Sequence, residues 1–287
     1  MSQQVLPLIE PDELLLLKKT KEIILIDASA GAASKQRYKE KHLDHALYVD
    51  LDTQLADIKP DAANGGRHPL PTPEQFSKTL TNLGITASNH VVVYDDKNGS
   101  NAAARFWWML RSAGHSKVQV LNGGFDAALK AGFPVNANTG EPKQSGSYHF
   151  KKWLLPLAGI NEVEAVRLDS DFLVVDVRDH ERFIGAKEPI DLVAGHIPGA
   201  INIPFSSNMN ADGYFLSPGE LGDKYAKAFA GKKPGNIIVH CGSGVTACHT
   251  LLAIAHAGME IPKLYVGSWS EWSRNDLPIA TTANDKK

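Results

Sequence analysis

Cys241 lies in Asn236-Ile-Ile-Val-His-Cys-Gly-Ser-Gly-Val-Thr-Ala247, between a β-branched run and an apolar-periodic stretch that closes at Gly258. A cysteine so placed is a candidate nucleophile if it is held as the thiolate. Two neighbouring features favour that form. Gly242 and Gly244 let the backbone curl until successive N–H groups point inward as an anion nest. The stretch beginning near Thr246 reads as a helix, whose N-terminus carries partial positive charge. Gly242, Gly244, Val245 and Thr246 are therefore the candidate cradle, with hydroxyl donors on Ser243 and Thr246. The bland alternative is a small buried cysteine before a helix. The combination of Cys, Gly-x-Gly and hydroxyls argues against it.

The elements that must position this loop are a strand and a helix. Ile237-Ile-Val239 predicts a buried strand, and the segment ending at Gly258 a helix. α/β proteins place their chemistry at such strand exits, facing a helix N-terminus. The same order of elements occurs twice. Phe172-Leu-Val-Val-Asp176 echoes Ile23-Ile-Leu-Ile-Asp27, and Gly195-His-Ile-Pro-Gly-Ala200 echoes Lys41-His-Leu-Asp-His-Ala46. Asn236 to Cys241 echoes His90 to Asp95, and Lys263 to Trp269 echoes Gln119 to Phe125. The expected fold class is α/β, with two tandem copies, each a mostly parallel sheet flanked by helices. The expected domains are residues 8–135 and 161–282, joined by a surface linker at 136–160. Within the first copy, 38–46 reads as a polar connector, 48–52 as extended, 57–73 as loop, and 73–84 and 102–114 as helices. Asp95 stands where the second copy has Cys241. A carboxylate cannot replace a thiolate, so one active site per chain is expected, at the interface of the two domains.

Length and composition agree. A chain of 287 residues suits two domains, and 43% hydrophobic with 22% charged residues is ordinary for a soluble globular protein. The net charge of −2 implies no general polyanion-binding surface, so no nucleic-acid partner is expected. Two cysteines make no disulfide framework and fit a reducing compartment. No run approaches membrane-spanning length and Met1 to Glu10 is no secretory signal, so the expected location is cytoplasmic with no membrane partner. No Cys/His set has metal-ligand spacing and no phosphate-binding glycine fingerprint occurs, so neither a metal nor a cofactor is expected.

The loop Cys241-Gly-Ser-Gly-Val-Thr-Ala247 resembles the active-site loop of the mercaptopyruvate sulfurtransferases, within the tandem-domain rhodanese superfamily. Val175-Asp-Val-Arg178, Gly195-His-Ile-Pro-Gly-Ala-Ile-Asn-Ile-Pro204 and Gly267-Ser-Trp-Ser-Glu-Trp272 support the resemblance, which spans nearly the whole chain. It implies a transferase that moves sulfane sulfur from 3-mercaptopyruvate, or thiosulfate, through a Cys241 persulfide. The acceptor would be cyanide, a dithiol or a thioredoxin-like protein. It also implies a Ser-His-Asp relay of Ser243, His68 and Asp52, which could protonate the pyruvate enolate. Arg182 matches the family's substrate-anion arginine, with a fork suited to a carboxylate. By itself, His68 in a Gly-Pro loop reads equally well as a surface histidine, and Arg182 reads better as a surface ion pair than as a substrate arginine. Arg178, beside the strand Asp176, reads as structural.

Two departures bear on the donor. Members of this type carry a second substrate arginine before the Gly-His-Ile-Pro-Gly motif, whereas Glu188-Pro-Ile-Asp-Leu-Val-Ala-Gly195 contains none. No Lys or Arg lies between Cys241 and Cys248, where thiosulfate enzymes of this type place basic residues. Main activity on thiosulfate therefore stays open beside mercaptopyruvate. Two other classes fit less well. Cys-x5-Arg phosphatases need an arginine where this chain has Ala247, and non-catalytic rhodanese-like binding modules usually lack the cysteine. Cys248 reads as a buried core thiol ahead of a resolving cysteine, His240 and His249 as packing or surface residues with His249 a lesser candidate for meeting the thiolate, and Trp107, Trp108, Trp269 and Trp272 as core or interdomain packing.

Overall fold

The computed structural model describes residues 5–138, 140–142 and 146–281. Residues 1–4, residues 139 and 143–145 of the expected linker and residue 282 of the second expected domain thus lie outside the described residues. The chain forms two compact units. The first draws on Met1–Asp57, Pro71–Leu154 and Asn210–Phe215; the second on Ile58–Leu70, Leu155–Met209 and Leu216–Lys287. The expected spans 8–135 and 161–282 are contiguous, whereas each unit also takes a segment from the other half of the chain.

The first unit runs β1 (Leu8–Ile9), α1 (Pro11–Thr20), β2 (Ile23–Asp27), α2 (Ser34–Glu40), β3 (His42–Leu43), β4 (Leu47–Tyr48), α3 (Leu51–Gln54), α4 (Pro73–Asn82), β5 (His90–Tyr94), α5 (Ala102–Ser112), β6 (Val118–Leu121), α6 (Gly124–Lys130) and β7 (Val135–Asn136). Five strands form a parallel sheet in the order β1-β6-β5-β2-β4. β3 and β7 form a separate antiparallel pair. The helices start where local chemistry starts them. Thr72 and Gln75 close a capping box at α4, with Pro73 at the first helical position. Leu14, Leu25, Val92, Tyr94 and Leu121 share one buried cluster. The described part of the expected linker packs here too: Phe150 and Trp153 lie against Phe76, and Trp153 also against Trp108.

Two local expectations for this unit change. Residues 38–46 are not wholly connector, because α2 reaches Glu40. Of residues 48–52, the strand ends at Tyr48, the backbone is still extended at Asp50, and the helix begins at Leu51. Asp50 then caps α3, its Oδ1 accepting the N–H groups of Asp52 (3.1 Å) and Thr53 (2.9 Å). A local side-chain cap overrides the alternating pattern.

The second unit runs β8 (Leu157–Ala158), α7 (Ile160–Val166), β9 (Leu173–Asp176), α8 (His180–Phe183), β10 (Ile201–Asn202), a 3₁₀ turn (Phe205–Asn208), α9 (Pro218–Phe229), a second 3₁₀ turn (Pro234–Asn236), β11 (Ile237–His240), α10 (Thr246–His256), β12 (Lys263–Tyr265) and α11 (Ser268–Trp272). Its five-stranded parallel sheet has the order β8-β12-β11-β9-β10, strand for strand the order of the first. The central strands β5 and β11 therefore correspond, and Asp95 and Cys241 follow them directly. Val163, Val174, Ile197, Ile238, Trp269 and Trp272 form its core.

The loop after β5 shows what an occupied cradle looks like. Asp95 is fully buried, and its Oδ1 accepts the N–H groups of Lys97 (2.9 Å) and Gly99 (2.8 Å). Its Oδ2 accepts those of Asn101 and Ala103, both at 3.1 Å. Burial pushes its pKa up, and the four backbone donors oppose that shift. The nest of this copy is filled by the chain's own carboxylate.

Burial lowers the pKa of four histidines, His90, His115, His240 and His256, below the ordinary 6.5. At His240 the neighbouring Asp176 opposes the shift without reversing it. The unfolded chain then binds more protons than the folded one as pH falls through 6.5, so stability is lost on acidification. The thermal midpoint is expected to fall by roughly 5–10 °C between pH 7.5 and 5.5. Calorimetry across that range checks it, and a flat profile would contradict it.

Candidate active site

The cysteine loop is strapped to the start of α11. Cys241 N–H donates to Ser268 Oγ (3.2 Å), Trp269 N–H donates to Cys241 C=O (3.0 Å), and Ser270 N–H to Gly242 C=O (2.8 Å). Gly244 has φ +73°, and a Cβ there would stand 2.4 Å from the Val266 carbonyl oxygen. Only glycine meets both demands. Val245 and Thr246 then lead into α10, so the helix N-terminus faces the loop. Cys241 is nearly buried, 3% exposed. Cys248, inside α10, donates its thiol to Gly244 C=O (3.3 Å), and neither cysteine is in a disulfide.

A segment from the first half of the chain completes this unit. Gly66 has φ +82°, and a Cβ there would lie 2.3 Å from Gly267 O. Gly65 N–H donates to Glu271 Oε1 (2.9 Å) and Arg67 N–H to Ser270 Oγ (3.0 Å). This close approach delivers His68, whose Nδ1 shares a 2.8 Å hydrogen bond with Ser243 Oγ. The two residues, 175 apart in sequence, are brought together beside the nucleophile's loop. Asp52 belongs to the first unit and lies exposed on α3.

Arg182, from α8, also reaches the loop. A Cβ on Gly242 would lie 3.5 and 3.6 Å from its Nη2 and Nη1, and 3.0 Å from Nη2 of Arg67. Two guanidinium groups thus approach the residue after the nucleophile. Both are tethered to acids of the insert. Arg182 Nη2 donates to Glu188 Oε1 (2.7 Å) and Asp191 Oδ2 (3.1 Å). Arg67 Nε donates to Asp191 Oδ1 (3.0 Å), and so does Arg274 Nη1 (3.2 Å). Arg178 is the structural residue its position implies, bonded to Asp176 (2.6 Å), Glu188 (3.2 Å) and the Gly195 carbonyl (2.6 Å). The two guanidinium groups nearest Gly242, of Arg67 and Arg182, suit an anion at the loop.

Sequence reasoning missed Arg67, Glu188, Asp191 and Arg274. Arg67 is the immediate neighbour of His68, which was the available signal. The acids read only as an insert lacking an arginine.

Burial alone would raise the pKa of Glu188. The Arg182 fork and the N–H groups of Asp191 and Ile190 more than offset it, holding the carboxyl below its ordinary 4.5. Its ionised pairing therefore stabilises the fold above about pH 4.5 and is lost as pH falls below. Glu188→Gln is expected to cost about 3 kcal/mol at pH 7. The difference should shrink below pH 4, as urea titrations at both values would show.

The rhodanese-like domain family matches residues 10–131 and 160–275. A probable 3-mercaptopyruvate sulfurtransferase of Pseudomonas aeruginosa is 37% identical over 95% of this chain and 93% of its own length. A thiosulfate sulfurtransferase of Mus musculus is also 37% identical, over 88% of this chain and 84% of its own. Among solved structures, SseA from Escherichia coli, a 3-mercaptopyruvate sulfotransferase, superposes with TM-score 0.75 at 30% identity, covering 93% of this chain and all of that one. No helix among the described residues is long and apolar enough to cross a membrane.

Proposed function

The chain belongs to the rhodanese-like family, in two tandem copies, and is a sulfurtransferase; we propose that it works through a persulfide on Cys241 and takes its sulfur from 3-mercaptopyruvate. Relatives named for either donor share the same 37% identity, so similarity does not choose between them. The observation that favours mercaptopyruvate is the 2.8 Å hydrogen bond between His68 Nδ1 and Ser243 Oγ. When the Cys241 thiolate attacks the donor sulfur, the C–S bond breaks and its electron pair passes to carbon, giving the pyruvate enolate. That carbon must gain a proton, and in this reading the hydrogen-bonded Ser243–His68 pair supplies it. Asp52 is the candidate third member of the relay. The cradle of Gly242, Gly244, Val245 and Thr246 holds the persulfide anion, and Arg182 holds the donor carboxylate. In the second half-reaction a thiophile attacks the outer sulfur. The S–S bond breaks and its electron pair returns to Cys241. Cyanide, a dithiol or a thioredoxin-like protein can play that part. Two unbridged thiols fit a reducing compartment, and the cytoplasm is the location we infer.

The second reading, thiosulfate as main donor, has one observation in its favour: two guanidinium groups over Gly242 also suit a dianion. The deciding test is kcat/KM for thiocyanate formation from each donor with cyanide as acceptor. A preference for mercaptopyruvate is expected, and a preference for thiosulfate would overturn it. Sulfite leaves thiosulfate without needing a proton on carbon. Ser243→Ala is therefore expected to lower kcat with mercaptopyruvate by about 10²-fold and with thiosulfate by no more than about threefold. Equal losses would remove the relay.

A further inference from the structure

The turn Gly267-Ser-Trp269 of the second unit corresponds to Gly123-Gly-Phe125 of the first, and the middle residue is where they differ in kind. In both, the aromatic N–H donates to the carbonyl of the residue that follows the central strand. Trp269 bonds Cys241 and Phe125 bonds Asp95, each at 3.0 Å. In both, the middle residue is left-handed. The first copy has glycine there, Gly124 at φ +62°, and a Cβ on it would stand 2.5 Å from the Asp95 carbonyl oxygen. The second copy has Ser268 at φ +56°, where any residue but glycine carries strain. Among the described residues the other non-glycine residues with positive φ are His45, Asn98 and Ala230, all at least partly exposed, whereas Ser268 is fully buried. What the strain retains is a hydroxyl, and its bonds show its use. Ser268 Oγ accepts the N–H of Cys241 (3.2 Å) and donates to Tyr265 C=O (2.8 Å). Residue 241 is thus gripped at both its N–H and its C=O, while Gly124 offers Asp95 no side chain at all.

We propose that Ser268 is the positioning residue of the nucleophile, held in a strained backbone because its hydroxyl fixes the backbone of Cys241 and so the direction in which Sγ meets the donor sulfur. The inference rests on the Cys241 persulfide of the reading above. Sγ must approach in line with the bond that breaks, and a tilt of the residue that carries it moves the sulfur off that line. Asp95 only fills its own nest and needs no such aim, so its copy keeps the unstrained glycine.

The test compares the full chain with Ser268→Gly and Ser268→Ala. Both variants lose the hydroxyl, but only Ser268→Gly also loses the strain. Its thermal midpoint is therefore expected about 2–5 °C above that of Ser268→Ala. Activity should ignore that difference. At pH 7, well below every midpoint, kcat for thiocyanate formation is expected to fall by about tenfold or more in both variants, with KM for the donor within about twofold of the wild type. The loss should be the same with 3-mercaptopyruvate and with thiosulfate, because the aim belongs to the nucleophile and not to the donor. Iodoacetamide, a free neutral reagent that meets the thiol from any accessible side, should alkylate Cys241 within about threefold of the wild-type rate. Ser268→Gly keeps the test open if Ser268→Ala does not fold. Wild-type kcat in Ser268→Gly, a rise in KM in place of a fall in kcat, or alkylation that falls in step with kcat would overturn the proposal. A higher midpoint for Ser268→Ala than for Ser268→Gly would remove the strain on which it stands. Persulfide formation on Cys241 is followed by mass spectrometry with each donor. If it forms equally fast in the wild type and both variants, the positioning role fails and the reading above survives. If none forms on the wild type, the reading above fails, and this inference with it.

Discussion

Cys241→Ser is expected to abolish thiocyanate formation from both donors, by on the order of 10⁴-fold or more, with the thermal midpoint within about 3 °C of the wild type. The reasoning is chemical. A serine hydroxyl can neither take up a sulfane sulfur nor leave as a stable anion under these conditions, so both half-reactions stop together. It is also structural. The strap that holds the loop runs through the backbone N–H and C=O of residue 241, to Ser268 and Trp269, and survives the change. A steady-state assay beside a mass measurement of the donor-treated protein checks both halves. The wild type should gain one sulfur on the peptide containing Cys241, and the variant none. A variant that still transferred sulfur at a tenth of the wild-type rate would move the chemistry elsewhere, with Cys248 the remaining thiol. Cys248 is buried within α10, and it should be alkylated far more slowly than Cys241.

Gly244→Ala has the largest expected effect on the fold. Two penalties combine there. The residue sits at φ +73°, which costs a non-glycine residue about 1–2 kcal/mol. The new Cβ would also stand 2.4 Å from the Val266 carbonyl oxygen and 3.0 Å from its Cα. Backbone atoms cannot move aside as a flexible side chain can, so the loop must shift. A total loss of about 3–5 kcal/mol is expected, with activity down by about 10²-fold or more because the nest is displaced. Gly258 provides the control. It has nearly the same φ, +75°, and nothing within 4 Å of the corresponding Cβ position. Gly258→Ala should cost only the conformational part, about 1 kcal/mol. The difference between the two variants in urea unfolding isolates the clash. Equal costs would mean that the loop yields without strain.

Much of this was legible in the sequence, for local reasons. The β-branched runs at 237–239 and 91–93 are short, apolar and bounded by polar residues, so they read as buried strands. Their equivalence follows from the order of the flanking motifs. The cysteine loop carries its own meaning, because a cysteine followed by Gly-x-Gly and hydroxyls between a strand and a helix combines a nucleophile with an anion nest. The arginine cluster was not legible. Arg67 and Asp191 are 124 residues apart, and no periodicity links them. Each is an ordinary surface type when read alone. The helix at Leu51–Gln54 was lost for the opposite reason: the alternation from Tyr48 to Asp52 resembles a strand, and only the Asp50 side chain turns it into a cap. Pairing across distant chain segments and capping by single side chains are the two things that pattern reading resolves least well.

The exchange of segments constrains how this gene can change. Residues 58–70 of the first half belong to the second unit, and 210–215 of the second half to the first. A shortened gene that kept only residues 161–282 would still encode the cysteine and its nest. It would lack Arg67 and His68, together with the strand of backbone that lies against Gly267 and Ser270. The copy with Asp95 seated in its own nest therefore also supplies backbone and side chains to the unit that carries Cys241. With each half supplying part of the other's unit, the doubling works like a clasp: neither half can be removed without stripping residues from the unit of the other.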